Sequence, residues 1–204
     1  MKRLHAIIGL LASLSCVPYP AQRSAGTVPG LAAGMGTTSG QTSKSAEQSL
    51  AAGRAALRQK HYDQAIDLLE GGLTRSPNDE RLRVELGRAY LYSHQDERAM
   101  QLFREVLGKN PSNRTAKLEL ARALGYHPDY EASSQLYREL LQANTDDEAA
   151  SVGLVRNLIH QKRTAEARQE LDRALARHPN SLQLKQAKLR LEKMLTKTAA
   201  KRGG

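Results

Sequence analysis

The feature that most constrains this chain is a period of 34 residues, which begins at residue 46 and repeats four times. Helix-stop signals recur at that spacing, because a proline disfavours the α conformation in the residue before it. Small residues recur at position 20 of each unit and large residues at position 24. This spacing predicts stacked helical hairpins that bury their apolar faces against one another. The stops are Pro77, Pro111, Thr145 and Pro179, the small residues are Ala65, Ala99, Ser133 and Ala167, and the large residues are Leu69, Phe103, Tyr137 and Leu171.

The composition favours the same fold class. Aromatic residues make up 4% of the chain and Trp is absent, which argues against the β-branched and aromatic core of a sandwich or barrel. A single cysteine, Cys16, excludes an internal disulfide and a cysteine-cluster metal site. We therefore predict an all-α solenoid of four helix-turn-helix units and a C-terminal capping helix with a basic tail. The predicted units are 46–79, 80–113, 114–147 and 148–181, and the cap and tail cover 182–204.

The first helix of each unit carries its own series of small and apolar residues. Position eight is Gly53, Gly87 and Ala121 in the first three units, where a small residue lets two helix backbones approach closely. With the second-helix series, this resembles the tetratricopeptide repeat (TPR) family, whose pattern is W-x2-L-G-x2-Y…A-x3-F…A…P over 34 residues. The alternative is an unrelated helical bundle. Two departures are Val155 at position eight of the fourth unit and the missing Trp, replaced by Ser49, Arg83, Lys117 and Ser151.

The N-terminal residues predict export from the cytoplasm. Residues 1–15 begin with Lys2 and Arg3, and residues 6–14 form an apolar run that is well short of the roughly 20 residues a membrane-spanning helix needs. These are the two parts of a signal peptide. Residues 16–45 are rich in Gly, Pro, Ser and Thr and predict a flexible tether.

Cys16 has two interpretations. Leu14, Ser15 and Cys16 resemble the lipobox of bacterial lipoproteins, in which the cysteine becomes the lipidated first residue, although the Leu stands one place later than that family prefers. This resemblance implies membrane attachment through a lipid anchor, as an outer-membrane or periplasmic-face lipoprotein. Alternatively, Ser13 and Ser15 satisfy the small-x-small rule of ordinary secretory cleavage, which would release a soluble periplasmic protein.

The distribution of charge excludes several classes of function. The four units hold 20 basic and 20 acidic residues, so the formal net charge of +10 arises at the two ends of the chain. A neutral array does not provide the continuous basic surface that nucleic acids require, and we predict no nucleic-acid partner. We also predict no catalytic site, cofactor or metal, because catalytic motifs are absent and the recurring histidines drift around the hairpin turns. Those histidines are His61, His94, His127 and His160.

The family resemblance implies a binding surface along the inner wall formed by the first helices. Position nine is Arg in every unit, position five is apolar in every unit, and position 13 includes two tyrosines. Guanidinium groups bind carboxylates in a bidentate manner, so this wall suits an acidic and apolar segment, or a C-terminal carboxylate, of a protein partner. Alternatively, the arginines only solvate the wall or pair with Glu85 and Glu119. The predicted site consists of Arg54, Arg88, Arg122, Arg156, Leu50, Val84, Leu118, Val152, Tyr92 and Tyr126.

These features together predict a non-catalytic protein-binding adaptor of the bacterial cell envelope. In layout the chain resembles the short TPR lipoproteins of Flp and type IV pilus assembly, which implies a role in pilus or secretion machinery. The alternative is a soluble periplasmic subunit that regulates an envelope enzyme. On the sequence alone, reversing Arg88 and Arg122 to Glu is expected to abolish partner capture and to leave the melting temperature almost unchanged.

Overall fold

The computed structural model describes residues 38–202, with side chains described over 44–197. Every regular element in that part of the chain is an α-helix, so the all-α prediction is confirmed. The predicted signal peptide and Cys16 lie outside the described residues. The helices are α1 (Thr38–Arg58), α2 (Tyr62–Arg75), α3 (Glu80–Tyr92), α4 (Asp96–Lys109), α5 (Arg114–Tyr126), α6 (Tyr130–Ala143), α7 (Glu148–His160), α8 (Thr164–Arg177) and α9 (Leu182–Arg202).

The first eight helices form four hairpins, each consisting of two helices joined by a short turn. The second helix of each hairpin ends two residues before the predicted stop, at Arg75, Lys109, Ala143 and Arg177. First helices contact first helices of the neighbouring hairpins, and each second helix contacts the first helix that follows it. The predicted solenoid of stacked hairpins is therefore confirmed.

The junctions between hairpins also start the next helix. Asp79, Asn113 and Asp147 stand directly before α3, α5 and α7, and their side-chain oxygens accept hydrogen bonds from backbone N–H groups of the first turn. Such caps satisfy donors that the helix itself leaves unpaired. Burial acts to raise the pKa of Asp147, but hydrogen bonds from Arg114 and the backbone N–H of Ala150 outweigh it and lower that pKa. The charged carboxylate therefore stabilises the start of α7.

The core depends on small residues where the two helices of a hairpin meet. The side chains at position 20 are fully buried, and those at position 24 are no more than 2% exposed. Gly87 shows why a small residue is required at position eight: a Cβ atom added there would lie 2.5 Å from Cε1 of Phe103. Gly53 has the same relation to Leu69, with 2.6 Å to Cδ2. The two glycines let the large residue of the second helix pack directly against the backbone of the first.

Helix α9 covers the apolar face that the last hairpin would otherwise expose. Leu184 and Leu191 are buried, and Ala187, Met194 and Leu195 pack partly buried against the same core. The predicted apolar stripe therefore meets the array, as a solenoid cap requires. Among the helices of the described segment, none is long and apolar enough to cross a membrane.

The structure corrects one predicted boundary. Helix α1 begins at Thr38, so residues 38–45 are helical, whereas the sequence predicted a flexible tether through residue 45. Arg75 of α2 donates hydrogen bonds of 2.6 Å to the hydroxyl groups of Ser45 and Ser49. These contacts with the partner helix outweigh the modest helix propensity of a Ser- and Thr-rich segment.

Candidate functional site

A groove of about 940 Å³ lies on the inner face of the array. Helices α3, α5, α7 and α9 provide most of its walls, and the first residues of α2 and α4 contribute to its edge. A second depression of about 410 Å³ adjoins the groove and extends to α1. The two share Tyr62, Arg88 and Tyr92, so the site follows the first helices of all four hairpins.

The four arginines of position nine lie along this surface. Arg88, Arg122 and Arg156 line the groove, and Arg54 lines the adjoining depression. A repeat of 34 residues returns the same face of each first helix to the same wall, so one position of the repeat becomes one row of side chains. The structure thus brings together the arginines that the sequence selected.

Three of these arginines are held by two glutamates at position six of the repeat. Arg54 Nε lies 2.9 Å from Glu85 Oε1, and Arg88 Nη1 lies 3.2 Å from Glu85 Oε2. Arg122 Nη1 lies 3.0 Å from Glu119 Oε1, and Arg88 Nε lies 3.7 Å from the same oxygen. The glutamate side chains are only 5% and 9% exposed. The result is a continuous ladder of alternating charge, which we call the ion-pair ladder.

Arg156 does not take part in the ion-pair ladder. Position six of its hairpin is Gly153, where the two preceding hairpins have Glu85 and Glu119. Within residues 44–197, no hydrogen bond or ion pair joins Arg156 to another residue. Its side chain is exposed on the groove wall. The fourth hairpin therefore presents a guanidinium group whose charge no adjacent carboxylate neutralises.

Tyr137 of α6 occupies the space beside Gly153. A Cβ atom added to Gly153 would lie 2.5 Å from Cε1 of Tyr137 and closer still to Cζ. Burial raises the pKa of the Tyr137 phenol despite the opposing charges of Arg156 and Arg122. A neutral ring therefore stands where the other hairpins place a carboxylate.

Aromatic stacking across the hairpin junctions organises the rim of the groove. The ring at position 13 of one hairpin meets the ring at position 17 of the hairpin before it. Tyr92 stacks on Tyr62 with ring centroids 5.6 Å apart, and His160 stacks on Tyr130 at 5.2 Å. Both stacks fix a first helix against the second helix of its neighbour and hold the position-13 rings in place.

Tyr126 lacks such a stacking partner. Position 17 of the preceding hairpin is Asp96, which lies 3.0 Å from Nε2 of His127. The Tyr126 side chain consequently projects into the groove and is 72% exposed, compared with 47% for Tyr92. An exposed phenol ring provides apolar contact area at a low cost in conformational entropy.

Comparison with known families agrees with this architecture. A family model described as tetratricopeptide repeat matches residues 56–102 and 129–191, which together make up more than half of the chain. The chain belongs to the tetratricopeptide repeat family. Among the curated proteins compared, none matches this TPR chain.

Solved TPR structures share the fold at low sequence identity. MamA of AMB-1 is 22% identical over 76% of this chain and 84% of its own, with a TM-score of 0.61. YrrB, described as a TPR protein with an unusual peptide-binding site, is 17% identical over 72% and 75%, with a TM-score of 0.62. A tetratricopeptide repeat protein from Parabacteroides merdae is 18% identical over 76% and 61%, with a TM-score of 0.65. These similarities establish a common TPR backbone.

The structure corrects the predicted apolar strip of the TPR groove. Leu50, Val84 and Leu118 are 3%, 4% and 6% exposed and belong to the two core clusters. First helices of adjoining hairpins contact one another, so these side chains pack among the helices and not on the open wall. Val152 alone of the four lines the groove, and it belongs to the hairpin that packs against α9.

Sequence reasoning did not identify Gly153, Tyr137 or the isolation of Tyr126 as parts of this site. The signal was present in the repeat itself. Position six reads Glu85, Glu119 and Gly153 in successive hairpins, and position 17 changes from an aromatic residue to Asp96 at one junction. Comparing hairpins position by position, instead of matching each to the family pattern, would have revealed both departures.

The four recurring histidines lie at separate hairpin turns. His61 directly precedes α2, His94 and His127 follow α3 and α5, and His160 ends α7. Over the described residues, no group of three or more His, Cys, Asp or Glu side chains is arranged to hold a metal ion.

Proposed function

We propose that this chain is a non-catalytic adaptor whose groove binds a segment of a partner protein. The observation that carries the proposal is the exposed guanidinium of Arg156 in the same groove as the unstacked ring of Tyr126. Elsewhere on the wall the arginines are already paired. A charged group and an aromatic surface left without internal partners are the usual contacts of a recognition surface.

The dimensions of the groove favour a peptide segment as the ligand. Packed helices lie about 10 Å apart, so a groove crossing α3, α5, α7 and α9 extends over roughly 30 Å. An extended chain rises about 3.3 Å per residue, and about nine residues would fill that length. The printed description of YrrB, with its peptide-binding site, supports the same class of ligand for a related fold.

Site-specific photocrosslinking tests this proposal. Incorporating p-benzoylphenylalanine in place of Tyr126 should yield a discrete adduct with a partner protein in cells that produce the chain, and Tyr92 should yield the same adduct. The matched control is Arg168, which is exposed on α8 outside the groove. Adducts would be identified by gel shift and mass spectrometry. An equal yield of the same adduct from Arg168, or none from either tyrosine, would refute binding in the groove.

We further propose that the adaptor works in the bacterial cell envelope, attached to a membrane through lipidated Cys16 and serving pilus or secretion machinery. The basic and apolar segments of residues 1–15 and the lipobox-like sequence at Cys16 support this location. Cleavage at Ser13 and Ser15 would instead produce a soluble periplasmic subunit that regulates an envelope enzyme.

The intact mass of the mature protein separates these two forms. A lipoprotein is expected to begin at Cys16 and to carry the mass of a diacylglycerol group, and it should partition into detergent. Replacing Cys16 by Ser should remove the lipid and release the chain from membranes. A mature protein that begins near Cys16 without added mass would contradict lipid anchoring and support the soluble form.

A further inference from the structure

We propose that the C-terminal half of the groove is a subsite for an Asp or Glu side chain within the bound segment, with apolar residues beside it. We call this region the acidic subsite and define it by Arg156, Arg190, Tyr126, Val152 and Ala187, all of which line the groove. The inference rests on the proposed function, because it names the chemistry that the same groove selects.

The first step of the argument is the difference in charge between the two halves of the groove. Arg54, Arg88 and Arg122 share the buried carboxylates of the ion-pair ladder. Arg156 and Arg190 have no such partner among residues 44–197. A ligand carboxylate in the first half would have to compete with Glu85 or Glu119, whereas in the second half it meets unneutralised cations.

Arg156 and Arg190 also lie near one another in space, although they belong to different helices. Both act on the imidazole of His160: burial lowers its pKa, and the charges of Arg190 and Arg156 lower it further. Two cations converging on one part of the wall favour a single acidic group more strongly than either would alone. Arg156 supplies the planar fork that matches a carboxylate.

The second step is that this charge is built into the packing. Tyr137 fills the space beside Gly153 so closely that no Cβ atom fits there. A glutamate at position six, which would neutralise Arg156 as Glu119 neutralises Arg122, is therefore excluded by the core. The fourth hairpin keeps its guanidinium available as long as Tyr137 and Gly153 remain paired.

Apolar surface adjoins the cations. Tyr126 is 72% exposed, and Val152 and Ala187 line the same groove, each partly buried. Apolar side chains on either side of the ligand carboxylate would cover this surface and remove water from the charge pair, which strengthens it. The subsite thus selects an acidic residue with apolar neighbours.

The carboxylate has to come from another molecule. Residues 1–46 contain no Asp or Glu, so the segment before the array offers no complementary side chain. The groove also continues past Arg88 toward α1, and a ligand that follows it would pass through the acidic subsite with further residues on the α1 side. An acidic residue inside a partner segment fits this position.

Peptide selection followed by a double-mutant cycle tests the acidic subsite. A random library of twelve-residue peptides would be selected on the full chain, and the strongest binder would be synthesised with its acidic residue intact and replaced by the corresponding amide. Fluorescence anisotropy would give the dissociation constants. On the parent chain the amide is expected to weaken binding about tenfold. On Arg156→Gln both peptides should bind equally, and on the control Arg168→Gln the tenfold difference should persist.

The possible outcomes are distinguishable. An amide penalty that is as large on Arg156→Gln as on the parent chain overturns the acidic subsite, as does a selection that enriches peptides without acidic residues. In both cases the groove still binds peptides, so the proposed function stands. A selection that enriches no peptide contradicts the function and the subsite together. Self-association of the parent chain in sedimentation that is lost in Arg156→Gln would identify a second copy as the occupant and overturn the assignment to a different protein.

Discussion

Replacing Gly153 by Ala is expected to lower the free energy of unfolding by about 2 to 3 kcal/mol. The added methyl group would lie 2.5 Å from Cε1 and 2.6 Å from Cε2 of Tyr137. Tyr137 is only 2% exposed, so its ring has no free space into which it could move. Overpacking of this kind forces side chains out of their preferred rotamers or shifts the backbone. Urea denaturation followed by far-UV circular dichroism would measure the loss.

Two further variants separate overpacking from a general effect of removing a helical glycine. Gly108 lies in α4, and a Cβ atom added there meets nothing within 4 Å. Gly108→Ala should therefore stabilise the protein by about 0.5 to 1 kcal/mol. Tyr137→Leu should itself destabilise but should remove most of the additional cost of Gly153→Ala in the double variant. A Gly153→Ala protein as stable as its parent would show that α6 and α7 are not packed as described.

Much of this architecture followed from the sequence, because the period acts on every level of structure at once. Equal spacing of Pro77, Pro111 and Pro179 places the helix ends. The small residues at positions eight and 20 place the helix contacts. The arginines at position nine required no further information, since a repeated position on a repeated helix forms a row.

The contacts between hairpins were harder to predict. Whether Arg88 solvates the wall or pairs with a glutamate depends on the distance between α3 and α5, which no single repeat specifies. For the same reason Leu50 and Leu118 were assigned to the groove, although the neighbouring helices bury them. The start of α1 at Thr38 was missed because the contacts of Arg75 with Ser45 lie 30 residues apart in sequence.

The ion-pair ladder also changes what is expected from reversing the charges of Arg88 and Arg122. Glu substitutions at both sites would leave Glu85 and Glu119, which are nearly buried, facing new carboxylates instead of guanidinium groups. Removing one partner of a buried ion pair costs about 3 to 5 kcal/mol. Arg88 and Arg122 are about one-third exposed, so solvent screening reduces this cost. We expect a loss of about 2 to 3 kcal/mol for the double reversal, and not the unchanged melting temperature that the sequence alone suggested.

Arg156→Glu is the matched control for this prediction. It makes the same change of charge at the same position of the repeat, but the new side chain has no buried carboxylate beside it, because position six is Gly153. The free energy of unfolding in urea should therefore remain within about 0.5 kcal/mol of the parent value. If the double reversal were as stable as Arg156→Glu, the glutamates of the ion-pair ladder would not depend on their arginines. Stability and binding would then be carried by the same residues in every hairpin, and the contrast on which the acidic subsite depends would disappear.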